Sequence, residues 1–80
     1  MSNHTRCVRA NLAAEISRRD LTQARAAMLA GLTPDGLSKR MSGQIEFRLS
    51  ELLSLARVLE VPFSTLVVGL DVASGQLAEA

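Results

Sequence analysis

The spacing of apolar side chains along the chain predicts a series of short helices. Val8, Leu12 and Ile16 recur every four residues and predict an amphipathic helix over residues 5–19. On this helix Ala13 lies beside the apolar stripe, and the charged residues Arg6, Arg9, Glu15 and Arg19 are expected to lie off it. The strongest helical periodicity begins at about residue 49 and comprises Leu52, Leu55, Ala56 and Leu59. An all-α fold is therefore predicted.

Two further helices are predicted from residues that start and stop helices. Thr22 is a suitable N-cap for a second helix, and Gly31 suits the left-handed position that closes it. Thr33 followed by Pro34 begins a third helix, which Gly43 ends. Two short helices joined by a three- or four-residue turn with a glycine form a helix-turn-helix unit. The second helix of such a unit can enter the major groove of DNA.

The remaining apolar residues predict how these helices pack. Ala27 should be buried against the third helix, and Leu37 and Met41 form an i, i+4 pair that should face the core. Between the third and fourth helices we expect a loop that Ile45 and Phe47 hold against the core, with a short strand as the alternative.

A short fifth helix is predicted from Pro62 to about residue 68, burying Phe63 and Leu66. Residues 1–69 are expected to form one domain, and residues 70–80 a C-terminal tail that is either flexible or part of a dimer contact. The candidate dimer surface consists of apolar residues beyond the needs of a five-helix core: Val67, Val68, Leu70 and Val72.

Composition restricts the function more than the fold. Aromatic residues make up 2% of the chain and neither Trp nor Tyr occurs, which disfavours base-stacking recognition of single strands. No apolar run approaches the roughly 18 residues of a membrane span. Cys7 is the only cysteine, which fits a reducing cytoplasm. No carboxylate pair, metal-ligand spacing or nucleophile motif occurs, so we predict no enzyme, no cofactor, no metal and no small-molecule ligand.

The net charge of +1 is unevenly distributed along the chain. Residues 1–48 carry eight basic and four acidic side chains, a net charge of +4. Residues 49–80 carry one basic and four acidic side chains, a net charge of −3. Such an asymmetry is expected of a small domain that faces phosphates at one end, although an ordinary mixed surface is the alternative.

The pattern resembles the phage-repressor and Cro-type, or Xre-like, helix-turn-helix family over residues 8–66. The positions that match the family's motif are Thr22, Gln23, Ala27, Gly31, Thr33, Gly43, Leu52, Leu55, Ala56, Leu59 and Val61. The resemblance implies a lambda-repressor-like, compact bundle of about five short helices with the helix-turn-helix in helices two and three. Four positions depart from the family pattern. Ala26 stands where an apolar residue usually precedes the buried alanine, which implies a tighter or a weaker packing of the second helix. Met41 replaces an acid and Arg40 an apolar residue, which should move the core contact to Met41 and free Arg40 toward phosphates. Arg48 replaces a capping Ser or Thr, which leaves the start of the fourth helix open.

The resemblance also implies which residues meet DNA. Residues 33–42 would lie in the major groove as the recognition helix, with base contacts from Pro34, Asp35, Gly36, Ser38 and Lys39. Lys39 can donate to guanine, and Asp35 can accept from a cytosine amino group. The residues expected at phosphates are Thr22, Gln23, Thr33, Arg40, Ser42, Gln44 and Arg48. Weaker phosphate candidates are Arg18, Arg19 and Arg25.

These features predict a sequence-specific regulator of transcription that binds double-stranded DNA. A small phage or prophage repressor or Cro-like protein fits best, occupying an operator in a bacterial or phage-infected cytoplasm, with a homodimer as the candidate assembly. One alternative is the antitoxin of a toxin–antitoxin pair. The other is a helical protein-interaction module that does not bind DNA.

Overall fold

Aliphatic side chains at helical spacing meet in one core to which every helix contributes. The structure is a computed structural model that describes the backbone of residues 3–70 and the side chains of residues 6–70. Its helices are α1 (Asn3–Arg18), α2 (Gln23–Leu29), α3 (Pro34–Met41), α4 (Leu49–Leu59) and α5 (Phe63–Leu66). The described residues include no strand, which confirms the all-α prediction and excludes the short strand considered between α3 and α4. None of these helices has the length and apolar character needed to cross a membrane.

The predicted core is confirmed at most positions. The buried residues that the spacing identified are Val8, Leu12, Ile16, Ala27, Leu37, Leu52, Leu55, Ala56, Leu59 and Leu66. Met41 and Phe63 are partly buried and pack against this cluster. Ala26 and Ala27 are both fully buried, and their small side chains let α2 lie close to its neighbouring helices.

The end of α2 shows why the chain turns where it does. The Thr22 hydroxyl oxygen accepts a hydrogen bond from the Arg25 N–H at 3.0 Å, which caps the first turn. After the helix, Gly31 adopts φ 81°, and the Leu32 N–H donates to the Ala27 carbonyl at 2.8 Å. This is a Schellman closure, which requires a left-handed residue and therefore favours glycine. The predicted cap and stop are both confirmed.

Two predictions about α1 are wrong. Glu15 is buried, with 5% exposure, whereas Ala13 is exposed. The physical reason is angular, because a residue seven positions after Val8 returns to within about 20° of it on an α-helix. Glu15 therefore lies on the core side of α1 despite its charge. Its carboxylate pairs with the guanidinium groups of Arg18 and Arg19, which neutralise it.

The loop between α3 and α4 follows the prediction only in part. Phe47 packs against the core, but Ile45 is 42% exposed and does not hold the loop to it. The Schellman bonds that close α3 already direct this segment, since the Gln44 N–H donates to the Lys39 carbonyl at 2.9 Å and the Gly43 N–H to the Arg40 carbonyl at 3.2 Å. The Ile45 N–H donates to the same Lys39 carbonyl at 3.3 Å. Its side chain is thereby left at the surface.

The candidate dimer surface divides into different environments. Val67 packs against the core, Val68 is 64% exposed, and Leu70 is half-buried. Val72 and the rest of the expected tail, residues 71–80, lie outside the described residues. The exposed apolar surface in this region is thus carried by Val68, while Val67 closes the core.

A long-range contact joins the two ends of the domain. The Asn11 side-chain amide on α1 donates to the Leu66 and Val68 carbonyls, both at 2.9 Å. These carbonyls lie at the end of α5, where backbone acceptors have no partner within the helix. The Asn11 side chain therefore adds polar contacts between α1 and the end of α5 to their apolar packing in the core.

Candidate nucleic-acid interface

The α2 and α3 helices form one compact unit that presents α3 at the surface. Residues 30–33 connect them, a turn of four residues as the helix-turn-helix arrangement requires. The two helices make the most extensive contact in the described part of the chain, while α3 and α4 pack little against each other directly. Leu37 is fully buried and fixes the side of α3 that faces the core. The opposite side is consequently open to solvent.

Local sequence explains the position of α3. The Thr33 hydroxyl oxygen accepts the Gly36 N–H at 2.9 Å, and Pro34 supplies a first helical residue that needs no N–H partner. Gly43 ends the helix at φ 88°, with the Gln44 N–H donating to the Lys39 carbonyl at 2.9 Å. Hydrogen bonds therefore cap both ends of the predicted recognition helix, from the Thr33 side chain at its start and between backbone groups at its end.

The solvent side of α3 brings together most of the residues expected to read bases. Pro34, Asp35, Ser38 and Lys39 are exposed. Lys39 Nζ lies 3.2 Å from a carboxylate oxygen of Asp35, one turn earlier, with side chains 47% and 78% exposed. Because both side chains are in water, this pair is weak and either group can be drawn to another partner.

Gly36 has a different environment from its neighbours. It is half-buried, and a Cβ added to it would lie 2.8 Å from Thr33 Oγ1 and 3.3 Å from Arg40 Nη1. Two polar side chains thus fill the space that any other residue would occupy. These contacts within the protein account for a glycine at this position, and a base contact by Gly36 stays a prediction.

The residues expected at phosphates lie at both ends of the unit. The Thr22 and Thr33 hydroxyl oxygens accept cap bonds, which leaves their hydroxyl protons able to donate elsewhere. The side chain of Gln23 is half-buried beside Thr22. Near the end of α3 the Ser42 hydroxyl donates to the Lys39 carbonyl at 3.0 Å, so its proton is already engaged.

Beyond α3, Gln44 and Arg48 are exposed in the loop that leads to α4. Arg48 is the N-cap of α4 and makes no side-chain cap bond, but its N–H donates to Glu51 Oε1 at 2.8 Å. Glu51 is the third residue of the helix, so it supplies the glutamate half of a capping box. This bond fixes the start of α4 at Leu49, which the sequence left open.

Arg40 is paired within the protein, which differs from the expectation that its side chain is freed toward phosphates. Its Nε and Nη2 donate to the two carboxylate oxygens of Glu51, at 2.8 Å and 2.9 Å, in a bidentate pair. Its Nη1 donates to the Gly36 carbonyl at 2.8 Å. The two charged side chains are only 15% and 13% exposed. The guanidinium is held against the protein because it neutralises the Glu51 carboxylate on α4.

The same contacts set the protonation of Glu51. Burial by itself raises the pKa of the carboxyl, because removal from water disfavours its charged form. Hydrogen bonds from Arg40 and from the Arg48 N–H, with the positive charge of both residues, outweigh this effect and hold the pKa below its ordinary value. The carboxylate is therefore ionised at neutral pH. Glu51 was missed from the sequence, although an acid three residues after an N-cap is the signal of a capping box.

The weaker phosphate candidates differ in their surroundings. Arg18 and Arg19 both pair with the buried Glu15, but only Arg19 is half-buried, whereas Arg18 is exposed. Arg25 is exposed at the start of α2. No group of acidic, histidine or cysteine side chains suited to a metal ion occurs within the described residues. Cys7 is a free, half-buried thiol.

Comparison with known families gives the interface its context. A family model described as helix-turn-helix matches residues 13–66, more than half of the chain. The chain belongs to the Xre/Cro-type helix-turn-helix family. The match contains all of α2, α3, α4 and α5. This family consists of DNA-binding regulators and is not a family of enzymes, so the protein is a DNA-binding regulator of the Xre/Cro type. No curated protein and no solved structure matches the chain.

Proposed function

We propose that this helix-turn-helix protein regulates transcription by occupying a specific double-stranded operator, as a small phage or prophage repressor or Cro-like protein. The observation that supports the proposal is the exposed polar side of α3, on a helix capped at both ends and backed by the buried Leu37. A rigid helix with an open polar side is the element that inserts into the major groove.

Base recognition is assigned to the solvent side of α3. Lys39 donates to a guanine once it leaves Asp35, and Asp35 accepts from a cytosine amino group. Their mutual contact at 3.2 Å is exposed, so exchanging it for contacts to DNA costs little. Pro34 and Ser38 flank this pair, and Gly36 lets the cap and Arg40 pack together beneath it.

Phosphate contacts position the protein on both sides of α3. The proposed phosphate-contacting residues are Thr22, Gln23, Thr33, Ser42, Gln44 and Arg48, most of which are exposed at the ends of the two helices. For Ser42 the contact requires its hydroxyl to exchange the Lys39 carbonyl for a phosphate oxygen. Such contacts fix register and carry no sequence information. A two-fold dimer is the proposed assembly, with Val68, Leu70 and Val72 as its candidate surface, because helix-turn-helix dimers read two half-sites about 34 Å apart, one turn of DNA.

The proposal is tested by measuring duplex binding of the full chain by fluorescence anisotropy over a range of salt concentrations. The probes are duplexes enriched by the protein from a random library and fragments flanking its own gene. We expect Lys39→Ala to weaken binding about tenfold or more, whereas Arg57→Ala, which removes an exposed charge from α4, has little effect. Salt-independent binding, or equal weakness of wild type and Lys39→Ala, would contradict DNA recognition by α3.

A further inference from the structure

We propose that Arg40 and Glu51 form a brace that sets the position of α3 on DNA, so that Arg40 acts as a positioning residue and not as a phosphate ligand. This inference rests on the proposed function. It begins from the direction of the Arg40 side chain. Arg40 follows Lys39 on α3, but its guanidinium turns toward α4 and places two donors on one carboxylate.

The brace matters because the backbone of α3 lies close to α2 and comes near that of α4 at few positions. Apart from the Arg40–Glu51 pair, α3 is joined to α4 through the shared core, to which Leu37 and Met41 contribute. A hinge at that turn would change the angle at which α3 protrudes. The bidentate pair resists this motion, since a planar fork on a carboxylate fixes orientation as well as distance.

Glu51 is itself held in place, which makes the brace rigid at both ends. Its Oε1 accepts from Arg40 and from the Arg48 N–H, both at 2.8 Å, so the carboxylate also caps α4. At the other end Arg40 Nη1 is bonded to the Gly36 carbonyl. A continuous set of polar contacts therefore runs from the first turn of α3 to the first turn of α4.

If Arg40 were a phosphate ligand, removing the charge of Glu51 would have the opposite effect on DNA binding. To reach a phosphate, the Arg40 guanidinium would have to leave a carboxylate that is 13% exposed and ionised. Removing that carboxylate's charge would then release Arg40 and strengthen DNA binding. If Arg40 is a positioning residue, removing the charge loosens α3 and weakens binding, even though a negative charge has been taken away.

The deciding variant is Glu51→Gln, measured on a duplex that the wild-type chain enriches from a random library. Gln retains an acceptor for the Arg48 N–H but loses the charge and one half of the fork. We expect its affinity to fall about tenfold, and Arg40→Lys to fall by a similar factor, because a lysine has no fork to replace the lost geometry. Glu46→Gln removes the same charge from an exposed site in the preceding loop and should bind at least as well as wild type.

Positioning is separated from general stability by a matched control. Ile16→Val shortens a buried side chain of α1, so it lowers stability without touching the brace. It should bind DNA as wild type does at a temperature where all variants are folded. Equal or tighter binding by Glu51→Gln, full affinity in Arg40→Lys, or an equal loss in Ile16→Val would overturn the brace. Failure of the wild type to enrich any duplex would instead remove the proposed function, and the brace with it.

Discussion

Two consecutive basic residues of α3 occupy opposite environments. Lys39 pairs with Asp35 in water, where the side chains are 47% and 78% exposed, whereas Arg40 pairs with Glu51 at 15% and 13%. The first pair lies within one helix, and the second joins two helices. A positive charge on α3 therefore does not by itself show that a side chain is available to DNA, because the two residues differ in how deeply their ion pairs are buried.

The largest difference is expected in stability. Arg40→Ala leaves the ionised and mostly buried Glu51 without its counter-ion, and we expect the free energy of unfolding to fall by about 2–3 kcal/mol. Lys39→Ala removes an exposed i, i+4 pair and should cost no more than about 0.5 kcal/mol. Urea unfolding of both variants measures the difference. Similar losses in the two proteins would show that the environments are energetically equivalent.

A smaller effect is expected at Gly36, which supports the buried pair. Replacing glycine by alanine inside a helix usually stabilises it, but here the new Cβ would lie 2.8 Å from Thr33 Oγ1. We expect Gly36→Ala to lose about 1 kcal/mol, because the cap and Arg40 must both shift. Ser38→Ala, on the exposed side of the same helix, should be neutral or slightly stabilising. A stabilised Gly36→Ala would mean that the space around Gly36 is not restrictive.

The smallest effect is the response of the buried pair to acid. The pKa of Glu51 is lower in the folded chain than its ordinary value of 4.5, so the unfolded chain binds the proton more readily. The stability contributed by Glu51 is therefore fully present above about pH 4.5 and is lost as the pH falls through the folded pKa. The difference in unfolding free energy between wild type and Glu51→Gln should shrink progressively below pH 4.5. A difference that is constant across that range would rule out the ion pair as its source.

Much of the fold could be predicted because it depends on local signals. Helix spacing, the caps at Thr22 and Thr33, and the stops at Gly31 and Gly43 each act within a few residues, so the boundaries of α2 and α3 follow from the sequence. Glu15 departs from the prediction because its angle on α1, seven residues after Val8, places it on the core side despite its charge.

The orientation of Arg40 could not be predicted in this way. Its partner Glu51 lies eleven residues further along, beyond a loop whose path depends on tertiary packing. The same applies to Asn11, whose acceptors at the end of α5 lie more than fifty residues away. The candidate site could therefore be located from the sequence, but the internal contacts that engage its charges could not.

The most direct measurement is the base preference of Lys39→Ala and Glu51→Gln on every single-base-pair variant of the enriched duplex. If Lys39 reads a base and Glu51 only positions the helix, Lys39→Ala loses discrimination at one base pair, worth about 1–3 kcal/mol. Glu51→Gln should weaken binding to all variants by a similar factor and keep the wild-type order of preference. Unchanged preferences in Lys39→Ala, with discrimination lost at a single position in Glu51→Gln, would contradict the division of roles between these neighbouring pairs.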